Sequence, residues 1–158
     1  MVSSPDIPKI QLVYAFSVSI FFNERIRIDS PRGRVFVPAA SGEVWGPRLQ
    51  GRVVPRSGAD WASMGLLDAH YQLEASDGSL IYIHNRGFLR PQDGAPPPPP
   101  MTTNSGAWLA DMPLYFRLTP TFDAPEGPHD WLSRTVMVGT GRRYGDPDHT
   151  IFTYYEVL

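Results

Sequence analysis

Apolar residues in this chain recur in short β-rich runs separated by turn residues, with 17 prolines and 14 glycines punctuating the sequence. That rhythm belongs to β-strands joined by tight turns; few stretches carry the 3.6-residue period of a helix. The runs predict strands over 10–22, 25–29, 33–38, 43–54, 66–75, 79–89, 114–122, 132–141 and 150–157. Helix is expected only as single turns near 59–64 and 127–131. Eight or nine strands in 158 residues must close on themselves or pack as two sheets, because long open edges invite aggregation. The prediction is one all-β domain over residues 1–158, an antiparallel lipocalin- or calycin-like barrel. Pro47, Pro55 and Pro120 should mark strand ends or bulges, since proline cannot donate to the ladder. Residues 95–106, with five consecutive prolines at 96–100, read as an extended surface loop.

The clearest local signal is the hairpin over 66–87, where Asp77-Gly78 separates two alternating runs. A two-residue turn at Asp77-Gly78 would pair Leu73 with Tyr82, Tyr71 with His84 and Ala69 with Arg86. The other face would then pair Glu74 with Ile81, Gln72 with Ile83 and His70 with Asn85. The face carrying Ala69, Tyr71 and Leu73 is the more apolar and is expected inside, bringing His84 and Arg86 with it. A charged side chain on an inner wall needs a partner or a water-filled cavity. With the faces reversed, Asp68, His70, Gln72 and Asn85 would line the pocket instead. In this register His70 and His84 point to opposite sides, so one histidine is expected inward either way. In the strand over 114–122, Arg117 shares a face with Tyr115, Thr119 and Thr121. That face is either solvated or a second pocket wall.

Charge and composition narrow the chemistry. The net charge is −2, with basic residues spread along the chain, so no nucleic-acid-binding stripe is present. Of the 14 basic residues only Lys9 is a lysine; arginine suits fixed, bidentate contacts to oxyanions. The absence of cysteine excludes disulfides and thiol catalysis. The apolar run 10–22 is interrupted by Gln11, Ser17 and Ser19 and reads as a strand, not a signal peptide or membrane span. A cytoplasmic protein without membrane attachment is the expectation. The four histidines show no His-x-His or His-x3-His spacing, so no metal site is expected from spacing, while one assembled across strands stays open. There is no Gly-x-Ser-x-Gly elbow, dinucleotide fingerprint or P-loop, and no cofactor is expected.

The segments Gly46-Pro47-Arg48-Leu49-Gln50-Gly51-Arg52-Val53-Val54-Pro55 and Gly58-Ala59-Asp60-Trp61 resemble a known family, as do Leu67-Asp68-Ala69-His70-Tyr71, Asp77-Gly78-Ser79-Leu80-Ile81-Tyr82, Tyr115-Phe116-Arg117 and Trp131-Leu132-Ser133-Arg134. The family is domain-of-unknown-function family 3237, also called uncharacterised protein family 0311, and the resemblance runs to Tyr154-Tyr155-Glu156-Val157. It implies a small single-domain barrel, often self-associating, with no established activity. The chain departs from the family pattern at Ser57, where glycine is usual, at Met64-Gly65, at His70, where arginine is common, and in the proline tract.

Acid–base work on a carbonyl compound fits what is left. A histidine or aspartate would move a proton while arginine or tyrosine holds the developing oxyanion. The candidate catalytic residues are His84, His70 and Asp68; the candidate substrate-binding residues are Tyr71, Tyr82, Arg86, Arg117, Trp61 and Asp60. The expected partner is a small-molecule ligand or substrate. A cofactor-independent isomerase, cyclase or lyase, a non-catalytic carrier barrel and a purely structural barrel are the three readings.

Overall fold

The computed structural model describes residues 7–63, 65–96 and 107–158. Its strands are β1 (Leu12–Phe22), β2 (Ile26–Arg27), β3 (Arg34–Ser41), β4 (Glu43–Trp45), β5 (Gly51–Val53), β6 (Ala59–Ser63), β7 (Leu66–Ala75), β8 (Leu80–Pro91), β9 (Leu114–Leu118), β10 (Thr121–Asp123), β11 (Met137–Tyr144) and β12 (His149–Val157). Two short 3-10 helices, Ala107–Asp111 and Asp130–Arg134, complete the described elements.

Three of the barrel's staves are interrupted strands. β3 and β4 both pair with β1, β5 and β6 both pair with β7, and β9 and β10 both pair with β8. The sheet therefore runs as an eight-stave antiparallel meander, closed where β12 pairs with β1. Among the described residues the ring closes at every stave, most thinly between β9 and β11, where Gly139 pairs with Leu118 and Thr140 with Arg117. Closure limits the edge open to another chain. The prolines fall where the missing N–H predicts: Pro47 and Pro55 flank β5, and Pro120 separates β9 from β10. The expected helical turn at 59–64 is instead strand β6 as far as Ser63, held between β3 and β7. The expected strand over 132–141 starts only at Met137, because the chain first makes the helical turn Asp130–Arg134. Most of the proline tract lies outside the described residues.

The 66–87 hairpin differs from the expected register by one residue. Its loop has three residues, Ser76, Asp77 and Gly78, with the Gly78 N–H donating to the Ala75 carbonyl at 2.8 Å and Ala75 N–H to the Ser79 carbonyl at 2.9 Å. Only Gly78 of the three is left-handed (φ +86°), so a one-glycine loop replaces the two-residue turn that needs positive φ twice. The slip moves every side chain of β8 to the other face relative to β7. Leu73 pairs with Ile81, Tyr71 with Ile83, Ala69 with Asn85, and His70 with His84. Inside are Leu67, Ala69, Tyr71, Leu73, Ile81, Ile83 and Asn85, all buried. Outside are Asp68, His70, Tyr82, His84 and Arg86.

One end of the barrel is solid. Phe16, Leu73, Ile81, Tyr154 and Leu132 are at most 1% exposed there, and burial of such side chains stabilises by about 1.5–3 kcal/mol each. Phe16 packs edge-on to Phe122 at 5.9 Å and tilted on Tyr154 at 5.2 Å. Leu132, on the turn Asp130–Arg134, plugs this end. Beside it the Arg48 guanidinium stacks on Trp131 at 4.2 Å and pairs with Glu156 at 3.0 Å. The other end is hollow.

Candidate functional site

The hollow end encloses a cavity of about 170 Å³. A cavity of roughly 150 Å³ holds one benzene ring, so the volume suits a single ring or a short branched chain. Its wall is mostly apolar, with Ile20 and Phe22 from β1, Val37 from β3 and Phe152 from β12. The functional side chains in its lining include Asp60, Tyr71, Arg25, Arg143 and, on β2 opposite Val35, Arg27.

Asp60 is placed by its local chain. Arg56, at φ +60°, turns the chain after β5, and Ser57 Oγ donates to the Val54 carbonyl while accepting the Gln72 N–H at 2.9 Å. Gly58 then brings β6 against β7, since a Cβ there would stand 1.7 Å from the His70 carbonyl oxygen. Asp60 Oδ1 accepts the Asp68 N–H at 2.9 Å. Burial among apolar wall residues pushes the Asp60 carboxyl up to about 7, more than the Asp68 N–H bond pulls it down. The Asp68 carboxylate raises it further, and the Arg25 guanidinium opposes.

Arg25 and Arg143 converge from the β1–β2 connection and β11 onto one carboxylate, Asp148. Arg143 also donates to Thr150 Oγ1 at 2.7 Å, and both guanidinium groups lie over the Phe22 ring, at 5.3 and 5.4 Å. Burial works to raise Asp148, but the bond from Arg25 and the charge of Arg143 hold it below the usual carboxylate range. Two cations share one fixed anion, so the cluster carries net positive charge at the cavity wall. Tyr71 offers its ring. Its hydroxyl is sealed beside Asn85 and Tyr154, with no well-formed hydrogen bond among the described residues, while Asn85 Nδ2 donates to Tyr154 Oη at 2.9 Å. Burial pushes both phenols well above their ordinary range, so neither supplies a proton near neutral pH.

Of the residues proposed from sequence, Asp60 and Tyr71 meet at this cavity. The others face away from it. His84, His70, Asp68, Tyr82 and Arg86 stand on the outer wall, because the one-residue slip carries both histidines to the same outward face. The expectation of an inward histidine from this hairpin is thereby corrected. Trp61 is 42% exposed and packs on Phe36 at 4.6 Å. Arg117 points outward on β9, donating to Thr140 Oγ1 at 3.2 Å and lying over Tyr115.

Arg25, Arg143 and Asp148 were missed. Arg143 had a signal: Met137, Gly139, Gly141 and Arg143 alternate on one face, which continues an inward face if the strand extends past Gly141. Arg25 opens the strand expected over 25–29 but lies in the connection before β2, and Asp148 lies in the connection between β11 and β12, where no period exists to read.

The fold and cavity define a closed up-and-down β-barrel with a one-ended pocket lined by a carboxyl group that burial pushes up to about 7 and by the guanidinium groups gathered on Asp148. The chain belongs to the family described as "Protein of unknown function (DUF3237)", matched over residues 8–157. It is 27% identical to a UPF0311 protein of Clostridium acetobutylicum, with 90% of each chain covered. Among solved structures it is similar to a β-barrel-like protein from Acinetobacter baumannii, 26% identical, TM-score 0.80, covering 98% of this chain and all of the other. It also shares its fold with an enzyme from Penicillium herquei, 17% identical, TM-score 0.69, over the full length of both chains. Among the described residues no helix is long and apolar enough to cross a membrane.

Proposed function

We propose that this protein is a cofactor-independent isomerase, cyclase or lyase acting on a small carbonyl-containing substrate in the hollow end of the barrel. The observation that carries the reading is the Asp60 carboxyl, pushed to about 7 in an apolar cavity next to guanidinium groups. Near neutral pH such a group is present in both protonation states, the condition under which one residue can both give and take a proton. Asp60 takes a proton from the carbon beside the carbonyl, or gives one to an alkene or carbonyl oxygen. The negative charge that develops is held by Arg25 and Arg143, already oriented by Asp148 and Phe22 and therefore needing little rearrangement. The Tyr71 ring adds an aromatic face to the cavity lining. The shared fold with an enzyme from Penicillium herquei is consistent with chemistry in this scaffold.

The mostly apolar lining equally suits a carrier barrel, and one experiment separates the two. The protein is incubated in heavy water with a panel of single-ring and short-chain enolisable ketones, and deuterium uptake and product formation are followed by NMR. The enzymatic reading expects exchange or conversion of at least one compound, reduced 100-fold or more in Asp60→Asn. Ligands that bind and return undeuterated would favour the carrier, and a panel that neither binds nor reacts would overturn the reading.

A further inference from the structure

On the outer wall, away from the cavity, Asp68, His70 and His84 bring their ligand atoms within 4.8 Å of one another. The register makes this group. Asp68 and His70 are two apart on β7 and share a face, and His84 is the direct cross-strand partner of His70. The oxygen Oδ1 of Asp68 lies 2.6 Å from His84 Nε2 and 3.5 Å from His70 Nε2. A tetrahedral ion with bonds of about 2.0–2.1 Å holds its ligand atoms roughly 3.3 Å apart, within the span of these separations. The Tyr82 hydroxyl sits 2.5 Å from His70 Nδ1 and steadies the ring through its other nitrogen, as the outer partners of metal-ligating histidines do.

We propose that Asp68, His70 and His84 form a binding site for a divalent d-block cation such as zinc on the outer face of the barrel. Two imidazoles and one carboxylate are the donor set that such ions prefer over magnesium or calcium. Two features oppose binding and set its strength. The His70 and His84 rings stack 3.9 Å apart at 19°, so they must tilt to aim both lone pairs at one ion. At 43% and 24% side-chain exposure they have room to do so. Arg86 stands across from Asp68 and repels a cation, though the two form no ion pair among the described residues. The site is open to water and faces away from the cavity, so it stands or falls independently of the acid–base reading.

The test is calorimetric titration of the whole protein with zinc chloride, with the histidine imidazole resonances followed by NMR in parallel. The expected result is one zinc per chain at micromolar concentration. Affinity should fall more than tenfold in His70→Ala and in His84→Ala, and rise in Arg86→Ala. Zinc should move the ring resonances of His70 and His84 and leave those of His129 and His149 in place, a readout that holds even if a variant folds poorly. The proposal is overturned if zinc is not taken up at micromolar concentration, if the His70→Ala/His84→Ala double variant binds as well as wild type, or if the resonances of His129 or His149 move instead.

Discussion

A carboxyl group that keeps its proton to neutral pH alters how the fold responds to acid and base. Burial pushes the Asp60 carboxyl up to about 7 in the fold from an ordinary value of 3.8. Between those values the folded chain holds a proton that the unfolded chain has released. The contribution of Asp60 to stability therefore falls as pH rises from about 4 to 7 and is level above that. The loss is on the order of a few kcal/mol. Asp60→Asn should remove this slope, so the variant gains stability relative to wild type at pH 8 but not at pH 4; urea unfolding at the two pH values checks it. Asp148 acts in the opposite sense. Held low by its arginines, it stabilises at neutral pH and loses that contribution only as pH falls below the ordinary carboxylate value. The two carboxylates thus act in separate pH windows.

At the scale of the element, the hairpin shows how one residue of loop length decides the chemistry of a wall. The alternation over Leu66–Ala75 was readable, and Ala69, Tyr71 and Leu73 do face inward. The expected register set Ile81 and Ile83 on the outer face opposite Glu74 and Gln72, whereas both are buried inside. What could not be read from Asp77-Gly78 alone was that Ser76 joins the loop, which rotates His84 outward and puts Asn85 inside. Gly78, at φ +86° and with open space where a Cβ would stand, is required by conformation and not by crowding. Gly78→Val should therefore cost about 1–2 kcal/mol, read as a lowered Tm, and leave cavity binding unchanged. β6 is the second case. A short, mixed run after Ser57-Gly58 has little period of its own and becomes a strand because β3 and β7 offer it partners on both sides. That tertiary pairing is what places Asp60.

For the whole molecule, the eight-stave closure divides the interior into a packed half and a hollow half. Leu73→Ala in the packed half should cost about 2–5 kcal/mol, measured by chemical unfolding. Val35→Phe at the lining of the hollow half should instead leave Tm within a few degrees of wild type and weaken or abolish binding of any ketone the wild type takes up. The barrel itself was legible because turn residues recur at strand spacing and eight or nine strands leave closure as the economical arrangement. The paired arginines were not, because Arg25 and Asp148 come from connections that meet only when the ring is closed. Whether the hollow end holds a carboxyl group poised for proton transfer can be tested without a substrate. The ¹³C carboxyl resonance of Asp60, assigned by its loss in Asp60→Asn, can be titrated directly. A midpoint near 7 is the predicted result, and a midpoint near 4 would contradict it.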